Sequence, residues 1–303
     1  MILGIEIGGT KLQVGLADQP GESFKAFVRQ PVNRDDGAQG ILTTLAEVCK
    51  PIISKHPVTR IGIGFGGPVD SINGVVRKSH HVKGWENFNL AKWCRSELGH
   101  DGVVDNDCNV CALAEAKYGA GKGLNSVFYV TVGTGIGGGL YVNGNIFGAD
   151  RPAIVEIGHL RPAPVEDPLA IVEDYCSGLG IAKQYLDKLK AQSNEDPAIE
   201  SITAKEIASA ARHGDALSRQ IMEEAVQVLG WAIAQAITMT APEIVVVGGG
   251  VSMASNSVFM HPLRKYVDRY VMTLLAGTYQ VRRAQLGEEV VVHGAVALAA
   301  LPQ

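Results

Sequence analysis

The chain has no stretch of about 18 consecutive apolar residues, so no membrane-spanning helix is expected. It has no run of basic residues, and its net charge is −4, which excludes nucleic-acid binding across a broad basic face. It lacks paired cysteines: the five (Cys49, Cys94, Cys108, Cys111, Cys176) are odd in number and irregular in spacing, which fits reduced buried thiols better than a disulfide framework. Met1 is followed at once by Ile2-Leu3-Gly4-Ile5, without a basic leader or a cleavage site, so the expectation is a cytoplasmic protein. Charged residues are scarce at 19% against 46% hydrophobic, which rules out disorder as the dominant state. At 303 residues the chain predicts two lobes of ordinary size.

What is abundant is glycine. There are 36, about 15 more than average usage gives. Fourteen fall in four clusters: Gly8-Gly9; Gly62, Gly64, Gly66 and Gly67; Gly133, Gly135, Gly137, Gly138 and Gly139; and Gly248-Gly249-Gly250. Each lies in or just after a short apolar strand (2–7, 60–63, 127–132 and 243–247). Glycine at a strand end lets backbone approach a ligand closely, because no Cβ intervenes. One such cluster is equally compatible with a tight turn, whereas four together favour a ligand.

Two glycine motifs are tested first. Gly62-x-Gly64-x-x-Gly67 and Gly133-x-Gly135-x-x-Gly138 match the dinucleotide pattern, which requires a helix opening directly behind it. The first runs into Pro68-Val69-Asp70 and the second into another apolar strand, so a Rossmann dehydrogenase is disfavoured. A nucleotide P-loop is also missing: Gly121-Lys122 is followed by Gly123 and lacks the earlier glycine. What remains is a repeat. Ile5 to Leu16 and Tyr129 to Tyr141 each read strand, glycine turn, strand, with a threonine (Thr10, Thr134) in the turn. Backbone N–H groups and a hydroxyl are the parts of an anion nest, so two such hairpins suit a polyphosphate gripped from two sides.

Helical patterns are predicted over 38–55, 90–98, 109–118 (with Asp107 as N-cap), 177–190, 204–212, 216–239 and 293–301. Strands alternating with helices predict an α/β chain whose mostly parallel or mixed sheets are covered on both faces. The polar stretch 192–197 is expected to be a surface loop. Acids that could serve phosphoryl transfer stand at Asp105 and Asp107, which end a strand and open a helix, and at Glu156, Glu173 and Asp174, with His159 nearby. Taken singly, Asp105 or Asp107 is as compatible with a solvated surface or a cap.

Six segments occur in order: Glu6-Ile7-Gly8-Gly9-Thr10-Lys11, Gly64-Phe65-Gly66-Gly67-Pro68, Asp105-Asn106-Asp107-Cys108-Asn109, Gly133-Thr134-Gly135-Ile136-Gly137-Gly138-Gly139, Glu156-Ile157-Gly158-His159 and Val247-Gly248-Gly249-Gly250-Val251-Ser252. Together they resemble the ROK family of bacterial sugar kinases and repressors over essentially the whole chain. The resemblance implies the two-lobed actin-like (ribonuclease H-like) ATPase fold with the active site in the interdomain cleft. Its expected lobes are a small one over 1–118, completed by 290–303, and a larger one over 119–289. It implies ATP and Mg²⁺ as cofactors, and an ATP-dependent transfer of the γ-phosphoryl group to a hexose hydroxyl, with glucose the first expectation and N-acetylmannosamine, fructose or allose the alternatives.

The resemblance also assigns residues. Gly8, Gly9, Thr10 and Lys11 match the first phosphate hairpin; Gly133, Thr134, Gly135 and Gly137 match the second; Gly248, Gly249 and Gly250 match the adenosine-side turn. Asp107 matches the catalytic aspartate. Gly66, Gly67, Asn106, Asp107, Glu156, His159 and Glu173 match residues around the sugar, and Glu6, where the family usually has Asp, falls in the vicinity of magnesium. The family's cysteine-rich zinc motif is missing from 160–172, so no zinc is expected, and the register of Glu173 depends on that shortened loop.

Family repressors carry a DNA-reading segment ahead of the first hairpin, and here that strand begins at Ile2, so turnover is expected over a non-catalytic sugar sensor. A homodimer is the default expectation for such an enzyme. Cys108-x-x-Cys111 reads as core thiols, His80-His81 as a solvated loop, and Trp231 as a core or subunit-contact residue.

Overall fold

The computed structural model describes residues 1–79, 82–162, 167, 169–192 and 201–302. The expectations for His80-His81 and for most of 192–197 lie outside these residues. The chain divides into two compact units, the first built from Met1–Ser126, Gly139–Ile154 and Gln285–Gln303, the second from Val127–Gly138 and Val155–Ala284.

In the first unit, β1 (Ile2–Ile7) is a run of six buried residues, as expected of a strand covered on both faces. It pairs antiparallel with β2 (Lys11–Ala17), which pairs with β3 (Ala26–Pro31). On its other side β1 runs parallel to β4 (Arg60–Phe65). One face of this sheet carries α1 (Gly37–Lys55), whose buried Ala38, Ile41, Leu42, Leu45, Cys49 and Ile52 form a single helical stripe. A small antiparallel sheet of β5 (Val69–Asp70), β6 (Val75–Val76) and β7 (Phe88–Asn89) follows, with Trp85 buried edge-on against Phe65 and Phe88. The predicted 90–98 helix is α2 (Leu90–Trp93) continued by a wider turn through Leu98. β8 (Gly102–Asn106) then closes the main sheet in the order β3-β2-β1-β4-β8 and delivers the chain into α3 (Asp107–Tyr118). The helix Val290–Ala299 returns to pack on β1, β4 and α3. Gly4 and Gly62 make room for it: a Cβ at either would run into the Val292 or Ala295 carbonyl.

The second sheet has the order β11-β10-β9-β12-β13, with β9 (Ser126–Val132), β10 (Ile136–Val142), β11 (Asn145–Ile146), β12 (Ile244–Gly248) and β13 (Gln280–Arg283). β12 is buried throughout and runs parallel to β9 and β13. Helices α4 (Val172–Cys176), α5 (Gly178–Gln192), α6 (Ala204–His213), α7 (Ala216–Thr240) and α8 (Met260–Tyr270) complete the second unit. Neither α4 nor α8 was expected from the sequence. α8 carries Pro262 in its first turn, where a missing N–H costs nothing, and buries Met260, Leu263 and Val267. Helix α7 ends at Thr240, one residue past the predicted 239 and two before Pro242, and the C-terminal helix starts one turn earlier than its alanine-rich stretch suggests.

Candidate active site

In the first unit, Glu6, the first glycine turn, the turn after β4 and the start of α3 come together. Register pairs Glu6 with Gln13 across the hairpin. Glu6 is only 6% exposed; its Oε1 lies 3.3 Å from the Lys11 ammonium. Burial pushes its carboxyl up from 4.5 to about 7; the Lys11 charge pulls it down, and the Asp107 carboxylate pushes it up again. The Glu6 and Asp107 carboxylates thus act on each other, with the Lys11 ammonium and, more weakly, the Arg29 guanidinium as the opposing charges on Glu6.

Within the turn, the Gly8 amide donates to the Lys11 carbonyl (3.0 Å), so it is already committed. The amides of Gly9 and Thr10 make no hydrogen bond to other described residues, while the Gly9 carbonyl accepts from Arg34 Nε (2.8 Å) and the Thr10 carbonyl from the Val32 amide. Lys11 Nζ also donates to the Glu288 carbonyl (3.2 Å).

Asp107 is the first residue of α3. Its cap is Asn106, one residue earlier than the sequence pattern suggests, because Asn106 is extended (φ −60°, ψ 143°) and its Oδ1 accepts from the amides of Cys108 (2.9 Å) and Asn109 (3.3 Å). A carboxylate in this first turn is favoured by the helix dipole. The Gly66 backbone lies against it: a Cβ on Gly66 would stand 3.5 Å from Asp107 Oδ2, 3.5 Å from the Ile7 carbonyl and 3.7 Å from the Gly8 Cα. Asn106 Nδ2 donates to the Gly67 carbonyl (3.1 Å), leaving one amide hydrogen for another acceptor. Behind them Asp105 is buried, accepting from Asn106 N (2.7 Å) and Asn109 Nδ2 (2.9 Å), and burial raises its carboxyl above the ordinary range.

The second unit carries the other sequence-predicted residues. β9 and β10 are joined by three residues, 133–135, a connection only a hairpin can make. The Gly133 amide donates to the Gly135 carbonyl (3.0 Å), and the Gly133 carbonyl accepts from Gly178 N (2.7 Å); the amides of Thr134 and Gly135 make no hydrogen bond to other described residues. Glu173, in α4, accepts from the Ile136 amide through Oε2 (2.6 Å) and lies where a Cβ on Gly135 would be, so in this structure it braces the second hairpin. Gly137 lies within β10.

Glu156 is the centre of an inverse γ-turn (φ −74°, ψ 65°) closed by the Ile157 amide on the Val155 carbonyl (2.8 Å), and the His159 amide returns to the Glu156 carbonyl (3.0 Å). Both side chains are exposed. Val155 is held at φ +57°, a strained value for a β-branched residue and therefore a marker of a constrained site. Gly249 has φ +84° and presses on the Val132 backbone, and Gly248 abuts Tyr129 Oη, but a Cβ on Gly250 would meet nothing within 4 Å. Packing therefore explains the first two glycines of the third turn and leaves open space at the last.

Sequence reasoning missed Gln13, Arg29, Glu115 and Glu288. None carried a local signal: the alternation Lys11-Leu12-Gln13-Val14 puts Gln13 in phase with Lys11, opposite the apolar side chains, yet both faces of β2 are buried. Among the described residues no group of three or more His, Cys, Asp or Glu is arranged to hold a metal, and part of the segment 160–172 lies outside them.

A family model described as "ROK family" matches residues 2–301. The chain belongs to the ROK family. It is 31% identical to the glucokinase of Thermotoga maritima over 98% of this chain and 96% of that protein. It is 27% identical to the N-acetyl-D-glucosamine kinase of Photobacterium profundum over 98% and 99% of the two chains. The crystal structure of a ROK family glucokinase from Streptomyces griseus, in complex with glucose and AMPPNP, superposes with a TM-score of 0.84 at 28% identity, covering 98% of each chain. The architecture is accordingly the two-lobed actin-like ATPase fold of the ROK sugar kinases.

Proposed function

We propose that this ROK protein is an ATP-dependent sugar kinase that phosphorylates a hexose hydroxyl, with glucose as the first substrate to test. The observation that carries the reading is the position of Asp107, at the start of α3, beside the Gly66 turn, Gly8 and Glu6. Asp107 is the general base: the sugar hydroxyl oxygen attacks the γ-phosphorus, the bond from that phosphorus to the β,γ-bridging oxygen breaks, ADP leaves, and the hydroxyl proton passes to the Asp107 carboxylate. Asn106 offers its remaining amide hydrogen to a sugar hydroxyl, and Glu156, His159 and Glu173 are the proposed acceptors and donors from the second unit. The amides of Gly9, Thr10, Thr134 and Gly135 are the proposed phosphate ligands, and Gly248 to Gly250 the adenosine turn.

Magnesium fits the donor set of the first unit, where the Asp107 carboxylate lies near enough to Glu6 to raise its proton affinity, and Mg²⁺ ordinarily keeps several waters and takes only one or two carboxylates. Glu6 would hold it through water, and the ion supplies charge neutralisation across the transferring phosphoryl group.

A coupled assay with ATP and Mg²⁺ across aldoses, ketoses and N-acetylhexosamines tests the reading; glucose is expected to give the highest kcat/KM, and no sugar phosphate from any of them would overturn it. The similarity to an N-acetyl-D-glucosamine kinase is why N-acetylhexosamines belong in the panel, alongside fructose and allose. Asp107→Asn should lower kcat by about 10² to 10⁴ while the affinity for a non-hydrolysable ATP analogue stays within a few-fold. Sedimentation would read the proposed homodimer directly.

A further inference from the structure

Behind Glu6 lies a polar group that the reaction above does not use. Gln13, in β2, is completely buried, and its amide is oriented by its neighbours. The NH₂ group donates to Glu6 Oε2 (2.6 Å) and to the Glu288 carbonyl (3.1 Å); the oxygen accepts from Arg29 Nε (2.7 Å) and Nη2 (2.9 Å). Arg29 is fixed in turn by Nη1 on Glu288 Oε2 (2.7 Å). Lys11 completes the ring, with Nζ on Glu6 Oε1 and on the same Glu288 carbonyl. Every hydrogen-bonding position of the Gln13 amide is thereby filled, two donors and two lone pairs. A short, fully satisfied network of this kind fixes a side chain in one orientation, whereas a half-satisfied one would cost more than an apolar residue.

The two donors reach Glu6 from the β2 side, one on each carboxylate oxygen. Each oxygen retains a second lone pair. These are the sites from which a carboxylate receives the waters of a hydrated cation. We propose that Gln13 is a positioning residue, which with Arg29 and the Glu288 carbonyl holds the Glu6 carboxylate in the orientation that receives a hydrated divalent cation. The proposal rests on the kinase reading for its purpose, but its test does not need a sugar.

The probe is Mn²⁺, titrated into the full-length protein with a non-hydrolysable ATP analogue and followed by water proton relaxation. Gln13→Met keeps the volume and removes the hydrogen bonds. The expected result is Mn²⁺ affinity weakened by up to about tenfold, the lower end of the scale for losing the partner of a direct metal ligand, because Glu6 reaches the ion through water. In the kinase assay the KM for Mg²⁺ should rise by the same factor while the KM for sugar stays within twofold. A merely structural glutamine would lower the melting temperature and leave the cation affinity where it was, and that result overturns the proposal. Should Gln13→Met fail to fold, Arg29→Met gives the reading instead, since the Arg29 side chain is 45% exposed. It frees the Gln13 amide to rotate, and a smaller weakening of Mn²⁺ binding is expected; unchanged binding overturns the proposal. A wild-type protein that binds Mn²⁺ with nucleotide in a Gln13-dependent way yet phosphorylates no sugar would refute the kinase reading alone.

Discussion

At the scale of single residues, Glu6 gives the protein a characteristic pH dependence. Its native carboxyl titrates at about 7 against 4.5 for the free group, chiefly because it is buried. An acid whose pKa is raised on folding holds its proton more tightly in the native state, so stability is greatest below 4.5 and falls as pH rises toward 7. The shift corresponds to a loss of about 3 kcal/mol once Glu6 is ionised. Urea unfolding from pH 5 to 8 should therefore show a decline that flattens in Glu6→Gln; parallel pH profiles for the two proteins would mean that another group titrates. The thiols are a second case. All five cysteines are buried, and burial lifts Cys49 and Cys94 to about 12, so the native protein should show no rapid reaction with Ellman's reagent at pH 8.

At the scale of elements, the glycine turns were legible because their causes are local: an apolar strand, a glycine cluster and a second strand specify a hairpin wherever they occur. What each glycine is for was not legible. The structure separates Gly249, forced by φ +84° and the Val132 backbone, from Gly250, which no neighbour requires. Gly249→Ala should therefore lower stability by at least about 1 kcal/mol in thermal unfolding, and Gly250→Ala should leave stability within about 0.5 kcal/mol. Asp107 was misread as a cap because both Asn106 and Asp107 are good capping types; backbone geometry chose Asn106 and left the aspartate on the first turn. Helix α8 is hard to read in the sequence because its apolar stripe is only three residues long, Met260, Leu263 and Val267, and Pro262 reads locally as a helix breaker.

For the whole molecule, the polar networks were the part the sequence hid, since they join residues far apart in the chain. Glu115, fully buried near the end of α3, accepts the amides of Ala120 (2.7 Å), Gln285 (2.9 Å) and Leu286 (2.9 Å). It ties the point where the chain re-enters the first unit to the helix that begins at Asp107. Glu115→Ala would strand three amides and should cost at least about 3 kcal/mol in denaturant unfolding.

The helix Val290–Ala299 has a further consequence, for how the protein is made. Residues 1–126 leave the ribosome without the segment that covers β1 and β4, and Gly4 and Gly62 are shaped for a helix made only after the whole of 155–284. The second unit lies almost entirely within one stretch, 155–284, and has its own helices in hand before Val290–Ala299 is made. The sheet of β1, β2, β3, β4 and β8, translated before that helix, must wait with an apolar face uncovered, the state in which chains aggregate and chaperones bind.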